Sequence, residues 1–167
     1  DLLVGGQGDD RVDGGAGTLQ VATSGGFTRV TVGSATGTGE INLGATGGAA
    51  VDLSKDLTLQ SASGNINVNT QVDGAHSLTL TTGGVVTIGA GVGGNTALTA
   101  LTTGGAGGTT RLNANVTTSG DQTYGHAVVI GTTVRTQAGS TEAPATVRFA
   151  STVDSASGGA GSLTVTG

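Results

Sequence analysis

The sequence has no cysteine, so no disulfide framework can hold it and cohesion must come from packing and hydrogen bonding. That absence does not imply a cytosolic protein, because a repeat array gains its cohesion from stacking. Aromatic residues are only 2% of the 167 positions, too few for the bulky core of a compact globule. Charged residues are only 10%, and one lysine (Lys55) and five arginines lie scattered along the chain. No basic patch exists to neutralise phosphates, which argues against nucleic acid as a partner. There is no basic amphipathic helix for a membrane surface and no apolar run long enough to span one. Methionine is absent too, and the chain opens in mid-phrase at Asp1, so it is read as a segment of a longer polypeptide.

What is abundant is glycine, 34 residues, set between short stretches of alternating apolar and polar residues. Composition alone would allow disorder, but disordered chains lack such alternation. A two-part phrase recurs. It reads Ile66-Asn-Val68 then Ser77-Leu-Thr-Leu-Thr81, and returns as Val86-Thr-Ile88 then Ala97-Leu-Thr-Ala-Leu-Thr102. A third copy is read at Arg111–Val116 with Ala127–Ile130, and a fourth at Val147–Val153 with Ser162–Thr166. The steps from Val68 to Ile88 and from Leu80 to Leu101 are each roughly 20 residues, within the range of solenoid repeats. Strands repeating at that period mark a solenoid, each repeat one coil laid on the next.

The fold expected is all-β, a right-handed parallel β-helix with rungs of about 20 residues. Coils ~4.8 Å apart and about seven rungs would give a rod on the order of 30–40 Å. Val68, Leu80, Ile88, Leu101, Leu112, Ile130, Phe149 and Val165 are placed inside, with Thr, Asn, Ser, Gln and Arg outside. Asn65, Asn67, Asn69, Asn113 and Asn115 recur at positions suited to stacked amide ladders. The stretch Gly139–Pro144 holds the single proline and is read as a loop bulging from a coil. No helical periodicity is visible.

Residues 1–21 are set apart as a Gly/Asp-rich segment, with the repeat region over 22–167. Gly5, Gly6, Gly8, Asp10 and Val12 fill one complete G-G-x-G-x-D-x-U-x unit, where U is a large apolar residue. Asp1 and Leu3 fit the tail of a preceding unit, and Gly14, Gly15 and Gly17 begin another in which Leu19 replaces the aspartate. This resembles the calcium-binding nonapeptides of RTX proteins. The resemblance implies a calcium site drawn from Gly6, Gly8, Asp9, Asp10 and Asp13, whose carbonyls and carboxylates are the hard oxygen ligands calcium prefers.

The strand repeats at 64–103 and the run Gln122-Thr-Tyr124 with Ala127–Ile130 are similar to those of filamentous-haemagglutinin-like giant bacterial surface adhesins. That resemblance implies a secreted, extracellular segment at the bacterial cell surface or in a matrix. Its role would be structural or adhesive, as a stalk or self-assembling fibre. Its partners would be identical copies or flanking repeats, with surface glycans as the alternative.

Other chemistry is weaker. His76 and His126 follow Gly74-Ala and Gly125 and read as solvent-facing turn residues, without HxH or HExxH spacing. Asp52, Asp56, Asp73, Asp121 and Asp154 are the carboxylates a polysaccharide-active enzyme would need. Asp73 and Asp154, after Val72 and Val153, read as equivalent turn residues, and a catalytic role is not expected. Thr-x-Thr occurs at 36–38, 79–81 and 164–166, but the threonines drift between the rungs as read from sequence, which weighs against an ice-binding face. Tyr124 and Phe27 read as packing or corner residues rather than contact residues, and Phe149 alternates with the core set.

Overall fold

The computed structural model describes residues 29–156 and 161–167. Among them there is no helix. The strands are β1 (Arg29–Gly33), β2 (Ile41–Leu43), β3 (Val51–Asp52), β4 (Asp56–Gln60), β5 (Ile66–Val68), β6 (Val72–Asp73), β7 (Ser77–Thr81), β8 (Val85–Ile88), β9 (Ala100–Gly104), β10 (Thr109–Leu112), β11 (Val116–Thr118), β12 (Gln122–Tyr124), β13 (Ala127–Ile130), β14 (Thr133–Ala138), β15 (Val147–Phe149), β16 (Val153–Ser155) and β17 (Ser162–Thr166). The strands stay short because glycine, serine and asparagine interrupt the alternation before a strand can lengthen.

These strands stack into a parallel β-solenoid of about 5 turns with ~23-residue spacing. The first sheet runs β1-β4-β7-β9-β12-β15, and the second runs β2-β5-β8-β10-β13-β16. The third face is β11-β14-β17, joined to β3-β6 through single bridges from Val72 to Val92 and from Val92 to Val116. Every strand pair is parallel, so each turn gives its main-chain hydrogen bonds to the turns before and after it.

Register places like above like, and the side-chain period of two then fills the interior. On the first face Leu57, Leu78 and Leu101 form one inner column, and Leu59 and Leu80 begin the next. Ile66, Val86, Val68 and Ile88 do the same on the second face. On the third, Val51, Val72, Val92 and Val116 follow one another. Leu78, Leu80, Leu101, Ile66, Val68 and Ile88 have no accessible surface. Short and β-branched side chains suffice because this interior is narrow.

The expected inner positions Val68, Leu80, Ile88, Leu101, Leu112 and Ile130 are buried. Phe149 is partly buried against the core, whereas Val165 is 48% exposed. Val165 lies on β17, the edge strand of its sheet among the described residues.

The phrase boundaries read from sequence need correction beyond residue 101. Leu101 pairs with Leu78 rather than with Leu80, so the phrase is displaced along the strand. Ala127–Ile130 stacks on β10 and so belongs to the second face, while Val147–Phe149 stacks on β12 on the first. Turn length is the cause. The turn from Thr110 to its partner Val128 is short, the next from Val128 to Val153 is longer, and that from Thr133 to Ser162 is longer still. The extra residues include the exposed stretch 140–144. Gly139 and Pro144 close that loop through an antiparallel bridge, and Ser140 N–H donates to the Ala143 carbonyl. The loop at 139–144 thus lies where the sequence places it, and the rung count falls from about seven to about five.

Because Leu80 stands between Leu59 and Thr103 in a closed column, Leu80→Ala opens a cavity that neighbouring turns cannot collapse around. Urea denaturation is expected to show a loss of about 2–5 kcal/mol.

Candidate functional site

The carboxylates singled out from sequence do not converge. Asp52 and Asp73 lie in register on β3 and β6 of the third face, while Asp154 pairs with Val129 on the second. Asp73 and Asp154 are therefore not equivalent, which corrects the sequence reading. Three of these residues are tied to the next turn's backbone. Asp56 accepts from Ser77 N–H at 2.9 Å, Asp121 from Thr146 N–H at 2.8 Å, and Asp73 from Asn95 N–H at 2.8 Å and Thr96 N–H at 3.2 Å. Burial would raise the Asp73 carboxyl, but the Asn95 and Thr96 amides, with the Gln71 and Asn95 side chains, outweigh it and hold it below its ordinary value. The Ser77 backbone and then its hydroxyl lower Asp56, with smaller help from His76 and Arg29. Among the described residues no group of three or more His, Cys, Asp or Glu stands together. The calcium candidates Gly6, Gly8, Asp9, Asp10 and Asp13 lie outside the described residues.

Asparagine divides between two jobs. Asn67 stacks on Asn42 and donates its Nδ2 to the Asn42 Oδ1 at 3.1 Å, and Asn69 donates to the same oxygen. Asn65 and Asn115 instead accept from Val85 N–H and Arg135 N–H, one turn on. The five-member ladder expected from sequence is thus a short cluster, because an amide oxygen at a corner meets a free N–H before it meets another amide.

On the outer surface of the first sheet, Thr31, Thr58, Thr79, Thr102 and Thr123 pair in register in consecutive turns. This is an unbroken column of five hydroxyl- and methyl-bearing side chains, ending above at Arg148. The Thr-x-Thr motifs themselves drift as read from sequence, 79–81 lying on the first face and 164–166 on the third, and of their threonines only Thr79 joins this column. Beside Thr102 stand Ala100 and Gly104, which keep the face low in relief. Two open grooves are shallow. One of about 450 Å³ is lined by Arg111, Val129, Ser155 and Ala156, and one of about 330 Å³ lies between Arg135 and the 139–141 loop. Neither is lined by a carboxylate.

The interior holds buried polar residues that sequence reasoning missed, beside a tyrosine it had read as packing. In the upper turns the aliphatic columns change character: Thr103 and Tyr124 follow Leu80, Gln122 follows Leu101, and Thr110 follows Val86. Tyr124 is fully buried, stacks on Phe149 at 5.0 Å between ring centres, and donates its hydroxyl to Gln122 Oε1 at 2.9 Å. Burial pushes its phenol above the ordinary range. Gln122 Nε2 donates to the Gln137 carbonyl at 2.7 Å and to Thr118 Oγ1 at 3.2 Å. Histidine needs a correction as well. His76 is a half-exposed turn residue, 3.8 Å from Asp56, but His126 is 3% exposed and enclosed by Thr110 and the Thr82 carbonyl. The signal available from sequence was positional: Gln122, Tyr124 and His126 alternate in the same phase as Val128 and Ile130.

The Thr136 hydroxyl is buried without a hydrogen-bond partner. Thr136 stands between Val116 and Val165 in a column whose other members are valines. Thr136→Val removes an unsatisfied hydroxyl at nearly constant shape and is expected to stabilise the chain by about 1 kcal/mol in urea denaturation.

No family model, curated protein or solved structure matches the chain in comparison. The solenoid itself is compatible with a β-helix repeat protein.

Proposed function

We propose that the chain is a non-catalytic structural or adhesive segment of a large secreted surface protein, a rigid stalk between flanking repeats or identical copies. The observation that carries this reading is the in-register parallel stack itself: two faces of six strands each pair turn on turn over continuous inner columns such as Leu57, Leu78 and Leu101. A stack in which each turn satisfies the main chain of its neighbours supports itself as a spacer. The dispersal of the carboxylates supports a role without catalysis. In the same reading Gly6, Gly8, Asp9, Asp10 and Asp13 supply the calcium ligands that the sequence resemblance implies. The setting is extracellular, at a bacterial surface or in a matrix.

A stalk has to bear load along its axis. Single-molecule pulling from the two ends of the chain is expected to give discrete yields, in steps of about one turn of ~23 residues. One smooth low-force extension, or turnover of a polysaccharide by the isolated chain, would contradict the reading.

The threonine column favours a second reading, a face that lies against an ordered surface, whether glycan or ice. Thr79→Lys and Thr102→Lys break that column without touching the core. If the face is functional, they abolish retention on a glycan array or inhibition of ice recrystallisation. If the parent chain does neither, this second reading fails.

A further inference from the structure

His126 lies at the corner between the first and second sheets, in the turn that joins β12 to β13. Its Nε2 is 3.0 Å from the oxygen of the Thr82 carbonyl, two turns below. A carbonyl only accepts, so Nε2 carries the hydrogen and Nδ1 is bare. Nδ1 stands 3.2 Å from Thr110 Oγ1, so the Thr110 hydroxyl donates to it. Thr110 Oγ1 is in turn 2.9 Å from Thr103 Oγ1 and accepts from it. The result is a one-way chain: Thr103 hydroxyl to Thr110 hydroxyl to His126 ring to Thr82 carbonyl.

The intervening turn is built to let the ring through. Between β9 and β10 the corner is Gly105-Ala106-Gly107-Gly108. Gly105 has φ +140°, and a Cβ there would run into the Thr82 carbonyl. A Cβ on Gly108 would sit 2.6 Å from His126 Nε2. One imidazole therefore bridges three successive turns across a corner emptied of side chains. Backbone bonds cross the same corner: Thr82 N–H to the Gly104 carbonyl at 2.8 Å, Thr109 N–H to Gly84 at 3.1 Å, and Gly125 N–H to Thr103 at 2.7 Å.

We propose that His126 is an acid-sensitive latch, holding this corner closed as a neutral imidazole and releasing it when protonated. A proton on Nδ1 turns an acceptor into a donor. Thr110 must then accept from the ring, and one hydroxyl hydrogen of the Thr103–Thr110 pair is left without the acceptor it had inside the core. No counter-charge is at hand. The β7–β8 and β13 segments carry no titratable residue, β10 offers only the outward Arg111, and on β12 the Tyr124 hydroxyl is committed to Gln122. Burial, partly offset by the Thr82 carbonyl, sets the ring below its ordinary value of 6.5. The sign follows. An unfolded or opened histidine takes up a proton near 6.5 while the closed one does not. Stability of the closed corner is thus full above 6.5 and falls as pH drops from there towards the folded value.

The test is residue-resolved amide exchange on the whole chain, corrected for intrinsic rates, together with NMR titration of the imidazole nitrogens. Between about pH 7.5 and about pH 5, exchange at Thr82, Thr109 and Gly125 is expected to rise at least about tenfold. Leu57 and Leu78, away from the corner, hold their protection. At neutral pH the ring reports the Nε2–H tautomer. His126→Gln, which can still donate to Thr82, removes the pH dependence, while His76→Gln keeps it. Unchanged protection across this range in the parent chain overturns the latch, whether or not the variant folds. So do an Nδ1–H tautomer and a His126→Gln variant with the same pH response.

Discussion

The described turns all depend on one constraint: each exposes a row of main-chain donors and acceptors that only another turn of matching register can satisfy. Parallel pairing along the axis meets that demand on all three faces, and the same register decides the interior. Once Leu57 lies under Leu78, Leu59 must lie under Leu80, and a column forms without any large side chain. This is how a chain with few aromatics and no disulfide can close a core.

Corners are the weak points of such an arrangement, because strands stop there and backbone groups lose their partners. The sequence spends its polar residues on them. Asp56, Asn65, Asp73, Asn115 and Asp121 each accept a backbone N–H from the turn above. Ser61, Thr70 and Thr82 donate to carbonyls of the turn below. Three of the five carboxylates singled out in the sequence, Asp56, Asp73 and Asp121, are in place ties between turns. Glycine has the complementary task, and at Gly105 and Gly108 it clears the space that His126 occupies.

The all-β solenoid was legible because alternation survives wherever the interior is aliphatic, as in Ile66-Asn-Val68 and Leu78-Thr-Leu80. The loop closed by Gly139 and Pro144 was legible from its proline. Phase was lost beyond residue 101, where the turn from Thr110 to Val128 is short, that from Thr133 to Ser162 is long, and a fixed period assigns strands to the wrong face. That slip hid the threonine column and made Asp73 and Asp154 look equivalent. Gln122 and His126 were hidden for a different reason. A polar residue at an inner position looks like an outer one until its partners, Thr110 or the Gln137 carbonyl, are brought from elsewhere in the chain. The calcium reading rests on residues 1–21 and stays a matter of sequence resemblance.

Register is the central claim, and a chain without cysteine allows it to be read directly. Nitroxide labels on a Thr79→Cys, Thr102→Cys pair sit on adjacent strands at an expected separation near ~4.8 Å. Electron paramagnetic resonance is predicted to show strong spin exchange for this pair. A Thr79→Cys, Arg111→Cys pair, on different faces, is predicted to show none. Exchange absent from the first pair, or equal in both, would contradict the stacked, in-register solenoid.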